Sequence, residues 1–136
     1  MIGQRKVAKI TNSADGGPKI VLIDFDGVFV DTQKFDLYDI NGEYIPYSIP
    51  WLMELMDWGF DVRIFSARCN DESAIQVMKN WFLGKNMPQE YLGALKFEPG
   101  KPSCHIIIDD RAAQFNGDVH AFSPGFVKSF KPWNRT

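Results

Sequence analysis

The sequence predicts an α/β domain organised around a mostly parallel sheet. Three observations predict it: short apolar, β-branched runs, helix-period segments lying between them, and an acidic or hydroxyl residue closing each run. The 136 residues match one domain, and 45% apolar content with eleven Phe and four Trp supplies its core. We divide the chain into residues 1–18, an N-terminal arm or edge strand, and residues 19–136, a single domain.

Asn12 to Pro18 is rich in Gly, Asn, Ser and Asp and reads as a turn leading into the first strong element. Lys19 to Ile23 is a continuous apolar run stopped by Asp24, the pattern of a central parallel strand buried on both faces. Pro50 is expected at the first position of a helix whose Leu52, Leu55 and Met56 share a face, with Gly59 as its stop. Phe60 to Phe65 follows as a strand ending at Ser66. Asn70 and Asp71 offer caps for a helix that buries Ile75, Met78 and Phe82 and ends near Gly84. A short strand and then His105 to Ile108 complete the series, the last run ending at Asp109-Asp110.

Fifteen Lys and Arg against seventeen Asp and Glu give a net charge of −2, which excludes a protein-wide positive field for long nucleic acid. The basic residues near the ends, Arg5, Lys6, Lys9, Lys128, Lys131 and Arg135, form either a phosphate-backbone track, if the termini lie near the site, or, as the favoured reading, solvated tails. Cys69 and Cys104 are too few for a disulfide framework, and no apolar stretch has the length of a signal or membrane segment. The expected location is therefore the cytoplasm, without membrane contact. Neither Gly-x-x-x-x-Gly-Lys-Ser/Thr nor Gly-x-Gly-x-x-Gly occurs, so a P-loop kinase and a dinucleotide fold are unsupported. His105 and His120 read as structural rather than as zinc ligands.

In parallel sheets ligands bind beyond the carboxyl ends of the strands. There the sequence places Asp24 and Asp26, Ser66, and Asp109 with Asp110. Side chains two residues apart in extended chain point the same way, so Asp24 and Asp26 face one pocket while Phe25 packs elsewhere, and Gly27 lets the chain turn. Carboxylates gathered this closely call for a neutralising cation, and an all-oxygen donor set suits Mg²⁺. Arg68 and Arg111 flank the same region, either to bind a phosphate or to pair with Asp71, Asp109 or Asp110.

Ile23-Asp24-Phe25-Asp26-Gly27-Val28 with Asp31, then Ser66, Lys101-Pro102 and Ile107-Ile108-Asp109-Asp110, resemble in that order the haloacid dehalogenase superfamily of phosphohydrolases. The resemblance spans about Lys19 to Phe122. Phe65-Ser66-Ala67-Arg68 and Ile108-Asp109-Asp110-Arg111-Ala112 are similar to small phosphatases such as the phosphatase part of bifunctional polynucleotide kinases. The resemblance implies a Rossmann-like three-layer sandwich and a Mg²⁺-dependent phosphomonoesterase. Asp24 would be its nucleophile, forming an aspartyl phosphate, and Asp26 its general acid and base. Mg²⁺ would be held by the carboxylates of Asp24 and Asp109 and the backbone carbonyl of Asp26. Ser66 would bind the transferring group, with Arg68 as a further substrate contact and Lys101, in preference to Lys96, offsetting charge.

About 18 residues separate Asp31 from Pro50, and Cys69 to Gln89 holds one helix and its turn, so no cap domain is expected and the site is open. Recognition then falls to the loop from Thr32 to Ile49. Its Phe35, Tyr38, Tyr44 and Tyr47 either stack on a base or, as the favoured reading, anchor the loop to the core. The expected substrate is a phosphorylated small molecule or nucleotide. The alternatives are a 3′-phosphatase acting on nucleic-acid ends and a non-catalytic binding module of the same fold.

Overall fold

A computed structural model describes residues 17–135. The expected N-terminal arm falls mostly on residues outside these. In chain order the elements are β1 (Ile20–Ile23), β2 (Val30–Thr32), β3 (Gly42–Tyr44), α1 (Ser48–Asp57), β4 (Asp61–Phe65), α2 (Glu72–Gly84), α3 (Gln89–Ala94), β5 (Lys96–Glu98), β6 (Ile106–Ile108) and α4 (Pro124–Ser129). Four of the strands form one sheet in the order β5-β4-β1-β6, every pair parallel, and helices flank it as in a Rossmann-like three-layer fold.

Burial explains why β1 is central. Val21, Leu22 and Ile23 are all buried, so the strand has no solvent face and its sequence shows no alternation. The chain builds outward from β1 to β4 to β5, then returns to lay β6 on the other side of β1. Strand order therefore reverses between β1 and β6, and a crevice opens at the carboxyl ends of such a pair. Among the described residues no cap domain stands over it; only the antiparallel β2–β3 hairpin lies between β1 and α1.

Two helix starts differ from expectation. α1 begins at Ser48, after Tyr47 in a left-handed conformation with φ 66°, so Pro50 is the third helical residue. It is tolerated there because the N–H it lacks has no intrahelical acceptor anyway. α2 is capped by Asp71 alone, whose Oδ1 accepts from Ser73 N at 2.8 Å and Ala74 N at 3.1 Å. Asn70 instead ends a 3₁₀ turn, Ala67–Asn70. Gly59 stops α1 as expected, with φ 92° and its N–H bonded to Met56 O at 3.0 Å.

Phe25 faces inward between the two motif acids and is fully buried. Its ring lies 5.6 Å from Phe82 and 5.2 Å from Trp81, both edge-on, and Phe82 is also 5.3 Å from Phe29. α2 thereby locks the turn that carries the acids. Replacing a fully buried Phe in such a cluster by Ala typically costs about 3–5 kcal/mol. Phe82→Ala should lower the urea unfolding midpoint accordingly; a midpoint within error of the parent would show that this cluster does not hold the turn.

Candidate active site

Asp24 and Asp109 leave the sheet side by side. Ile23 is paired with Ile108, and the Asp24 N–H donates to Ile108 O at 2.9 Å. Asp110 folds its carboxylate over Gly27, which has φ 85°; a Cβ at residue 27 would collide with that carboxylate. Only Gly meets both demands. One oxygen from each of Asp24, Asp109 and Asp110 lies within 4.8 Å of the others.

Burial pushes the Asp24 carboxyl up to about 8, helped by the negative charge of Asp109 and a hydrogen bond with Asp110. A hydrogen bond between two carboxyl groups requires a proton on one of them. Asp110 Oδ1 is buried without a partner among the described residues. An orphaned carboxylate oxygen beside two further carboxylates suits a hard divalent cation with oxygen ligands, as Mg²⁺ is.

Asp26, two residues from Asp24, meets a cation instead. Arg68 is fully buried, and its Nε and Nη2 donate to the two Asp26 oxygens at 2.9 and 3.0 Å. Nη1 donates to the carbonyls of Asp36 and Leu37 at 2.7 and 3.0 Å, and Nη2 also to Asp39 O at 3.3 Å. All five guanidinium donors are taken by protein groups, which leaves none for a substrate in this arrangement. Arg68 here makes the scaffold contact that the sequence offered as an alternative to binding substrate, with Asp26 rather than Asp71, Asp109 or Asp110 as the partner. Thr32 Oγ1 adds a bond to Asp26 Oδ1 at 2.6 Å.

Asp24 borders two clefts. One, of about 310 Å³, is lined by Ser66, Asn70, Pro99 and Asp109. Ser66 Oγ accepts from Arg68 N at 3.1 Å, so its hydroxyl proton has no protein acceptor among the described residues. The other, of about 250 Å³, lies against Asp26, Thr32, Arg111 and the C-terminal residues Asn134 and Arg135. Lys101 is exposed and lines neither cleft, two residues beyond Pro99. Lys96 Nζ lies 3.4 Å from Asp61, at the opposite, amino end of β4.

Sequence reasoning missed the C-terminal segment. The Trp133 indole donates to Gly27 O at 2.8 Å, Asn134 Nδ2 to Asp31 Oδ1 at 2.8 Å, and Arg135 Nη2 to Thr32 O at 3.1 Å. Arg135 is thus docked at the site and not on a solvated tail. In the hairpin region, Tyr44 accepts from Ile49 N at 3.0 Å, Tyr38 donates to Asp71 at 2.7 Å, and Phe35 packs its ring 4.7 Å from the Arg68 guanidinium. Three of the four aromatics make anchoring contacts, although Phe35 and Tyr38 remain about half exposed, while Tyr47 is the most exposed of them.

These elements define an α/β fold of Rossmann-like topology with an acidic crevice at its strand-order reversal. No protein-family model and no curated protein matches the sequence. Among solved structures, the chain is similar to a conserved protein coded by a locus from Bacteroides thetaiotaomicron. The identity is 22%, with a TM-score of 0.51 over 78% of this chain and 87% of that one. The likeness shows a shared fold.

The Asp24 environment has a consequence for stability. Its folded value of about 8 stands above the ordinary 3.8, so between those values the native state holds a proton that the unfolded chain has lost. Stability conferred below that window is lost as pH rises through it, at roughly 1.4 kcal/mol per unit of displacement. Without metal, Asp24→Asn should melt higher than the parent at pH 8 and converge with it near pH 4. A parallel pair of pH profiles would contradict this account. Separately, Arg68→Met should cost about 3–5 kcal/mol in urea unfolding, because it strands a part-buried carboxylate and three carbonyls.

Proposed function

We propose that the protein is a Mg²⁺-dependent phosphomonoester hydrolase of the haloacid dehalogenase type, acting through an aspartyl-phosphate intermediate. The observation that carries this reading is the Asp24 carboxylate at the crevice, set among Asp109 and Asp110 with no ion-pair partner among the described residues. Bound there by Asp24, Asp109 and Asp110, Mg²⁺ would offset the charge of nucleophile and substrate alike and make the encounter of two anions feasible. Asp110 thereby joins the ligands expected from sequence, which are the Asp24 and Asp109 carboxylates and the Asp26 carbonyl.

Asp24 attacks phosphorus through a carboxylate oxygen as the bond to the ester oxygen breaks, and the departing oxygen takes a proton from Asp26. Asp26, then ionised, removes a proton from the water that attacks the same phosphorus. This releases phosphate and restores the Asp24 carboxylate. The Arg68 fork binds ionised Asp26 and fixes its direction, serving the water step directly; in the first step one oxygen must exchange its donor for the leaving group. Ser66 donates its free hydroxyl proton to a phosphoryl oxygen, and Lys101, on the mobile reach of a long side chain, supplies further positive charge. The phosphorylated substrate is a small molecule, a nucleotide or a nucleic-acid end.

With p-nitrophenyl phosphate and Mg²⁺, the parent should turn over, and both excess chelator and Asp24→Asn should reduce kcat by several orders of magnitude, Mg²⁺ restoring the chelated sample. Turnover by Asp24→Asn near that of the parent would sink the mechanism. Asp26→Asn should slow alkyl phosphates more than aryl phosphates, since general-acid help is worth about 10² to 10⁴ for a poor leaving group.

A further inference from the structure

The cleft on the C-terminal side of Asp24 carries two cations that the hydrolysis described above does not use. Arg111 is exposed, and its guanidinium has no hydrogen-bond or ion-pair partner among the described residues. Arg135 spends one donor on Thr32 O and lines the same cleft. Asn134 is fixed through its amide nitrogen to Asp31, while its Oδ1 is buried with no donor. The indole of Trp133, bonded to Gly27 O, pins this segment to the turn that carries the motif acids.

Formal charge decides what this cleft accepts. A divalent cation among the three carboxylates of Asp24, Asp109 and Asp110 leaves one negative charge in excess, and Asp26 is already met by Arg68. Arg111 and Arg135 then reverse the sign on the side facing the C-terminal segment. A phosphomonoester whose phosphate lies at Asp24 would extend its remaining part either here or into the Ser66 cleft. Only this side offers unpaired guanidinium groups, which match phosphate or carboxylate oxygens in pairs.

We propose that this cleft is a recognition pocket for a second anionic group on the substrate, read by Arg111 and Arg135, with the docked C-terminal segment as its wall. The inference rests on the phosphohydrolase reading and narrows its substrate class to phosphomonoesters that carry another phosphate or carboxylate.

The test uses propylphosphonate and 1,3-propylenediphosphonate, whose C–P bonds resist hydrolysis, titrated calorimetrically into the full chain in Mg²⁺. The diphosphonate should bind at least about tenfold more tightly, beyond the factor of about two expected for two equivalent ends. Arg111→Gln, which removes no protein contact, should cut that ratio severalfold, and Arg111→Gln with Arg135→Gln should bring it to about two. A parent ratio of about two, or a ratio unchanged in both variants, would overturn the pocket. Hydrolysis of p-nitrophenyl phosphate by the parent is measured alongside. A preserved binding preference without hydrolysis would overturn the phosphatase reading and leave the anion pocket standing.

Discussion

The arrangement of the crevice depends on one buried guanidinium. Removing Arg68 from water is expensive, and the cost is offset only because each of its five donors finds an acceptor. Those acceptors come from the turn after β1 and from the connection between β2 and β3, while Arg68 itself is held where β4 ends, its N–H bonded to Ser66 Oγ. Three pieces of chain are thereby fixed relative to one another beyond what the β1–β4 pairing alone provides. The direction of Asp26, the position of the hairpin and the placement of Ser66 are one constraint.

The two acids of the Asp24-Phe25-Asp26 stretch consequently sit in opposite surroundings. Asp26 faces a cation and a hydroxyl, whereas Asp24 is buried against two further carboxylates. Phe25 keeps them apart by taking the inward position, where α2 holds its ring. Asp26 has an ion-pair partner, whereas Asp24 has none among the described residues. Paired titratable groups with such contrasting environments are how one fold separates acid–base work from nucleophilic or metal-binding work.

How much of this was legible in the sequence depends on the range of the signal. β1 was readable as an apolar run because burial on both faces removes alternation; β4 alternates, with only Val62 and Ile64 buried, and β6 is an edge strand with Ile106 exposed, yet the residues closing all three marked the crevice. β2, β3 and β5 have three residues each and α3 has six, too few for a period to emerge. The Arg68–Asp26 pair joins residues 42 apart, and the sequence alone suggested Asp71, Asp109 or Asp110 as partners without Asp26 among them. The docked C-terminal segment was unreadable for a different reason. Two of its three anchors, Gly27 O and Thr32 O, are backbone carbonyls, which every residue has and no residue type advertises.

The same segment explains how an uncapped crevice acquires walls. At the reversal of strand order the sheet supplies only a floor: Asp24 and Asp109 at adjacent strand ends, with Asp110 resting on Gly27. The β2–β3 hairpin, fastened by Arg68, raises one side, and Trp133 to Arg135 extend it across residues more than a hundred positions away in the chain. Asp24 is left between a cleft bordered by Ser66 and one bordered by the C-terminal segment. In-line displacement at phosphorus needs the attacking and departing oxygens on opposite sides of the transferring group. In the reaction we propose, Asp24 would stand between two open spaces with Asp26 clamped at one of them, an arrangement suited to that geometric requirement with no closing domain among the described residues.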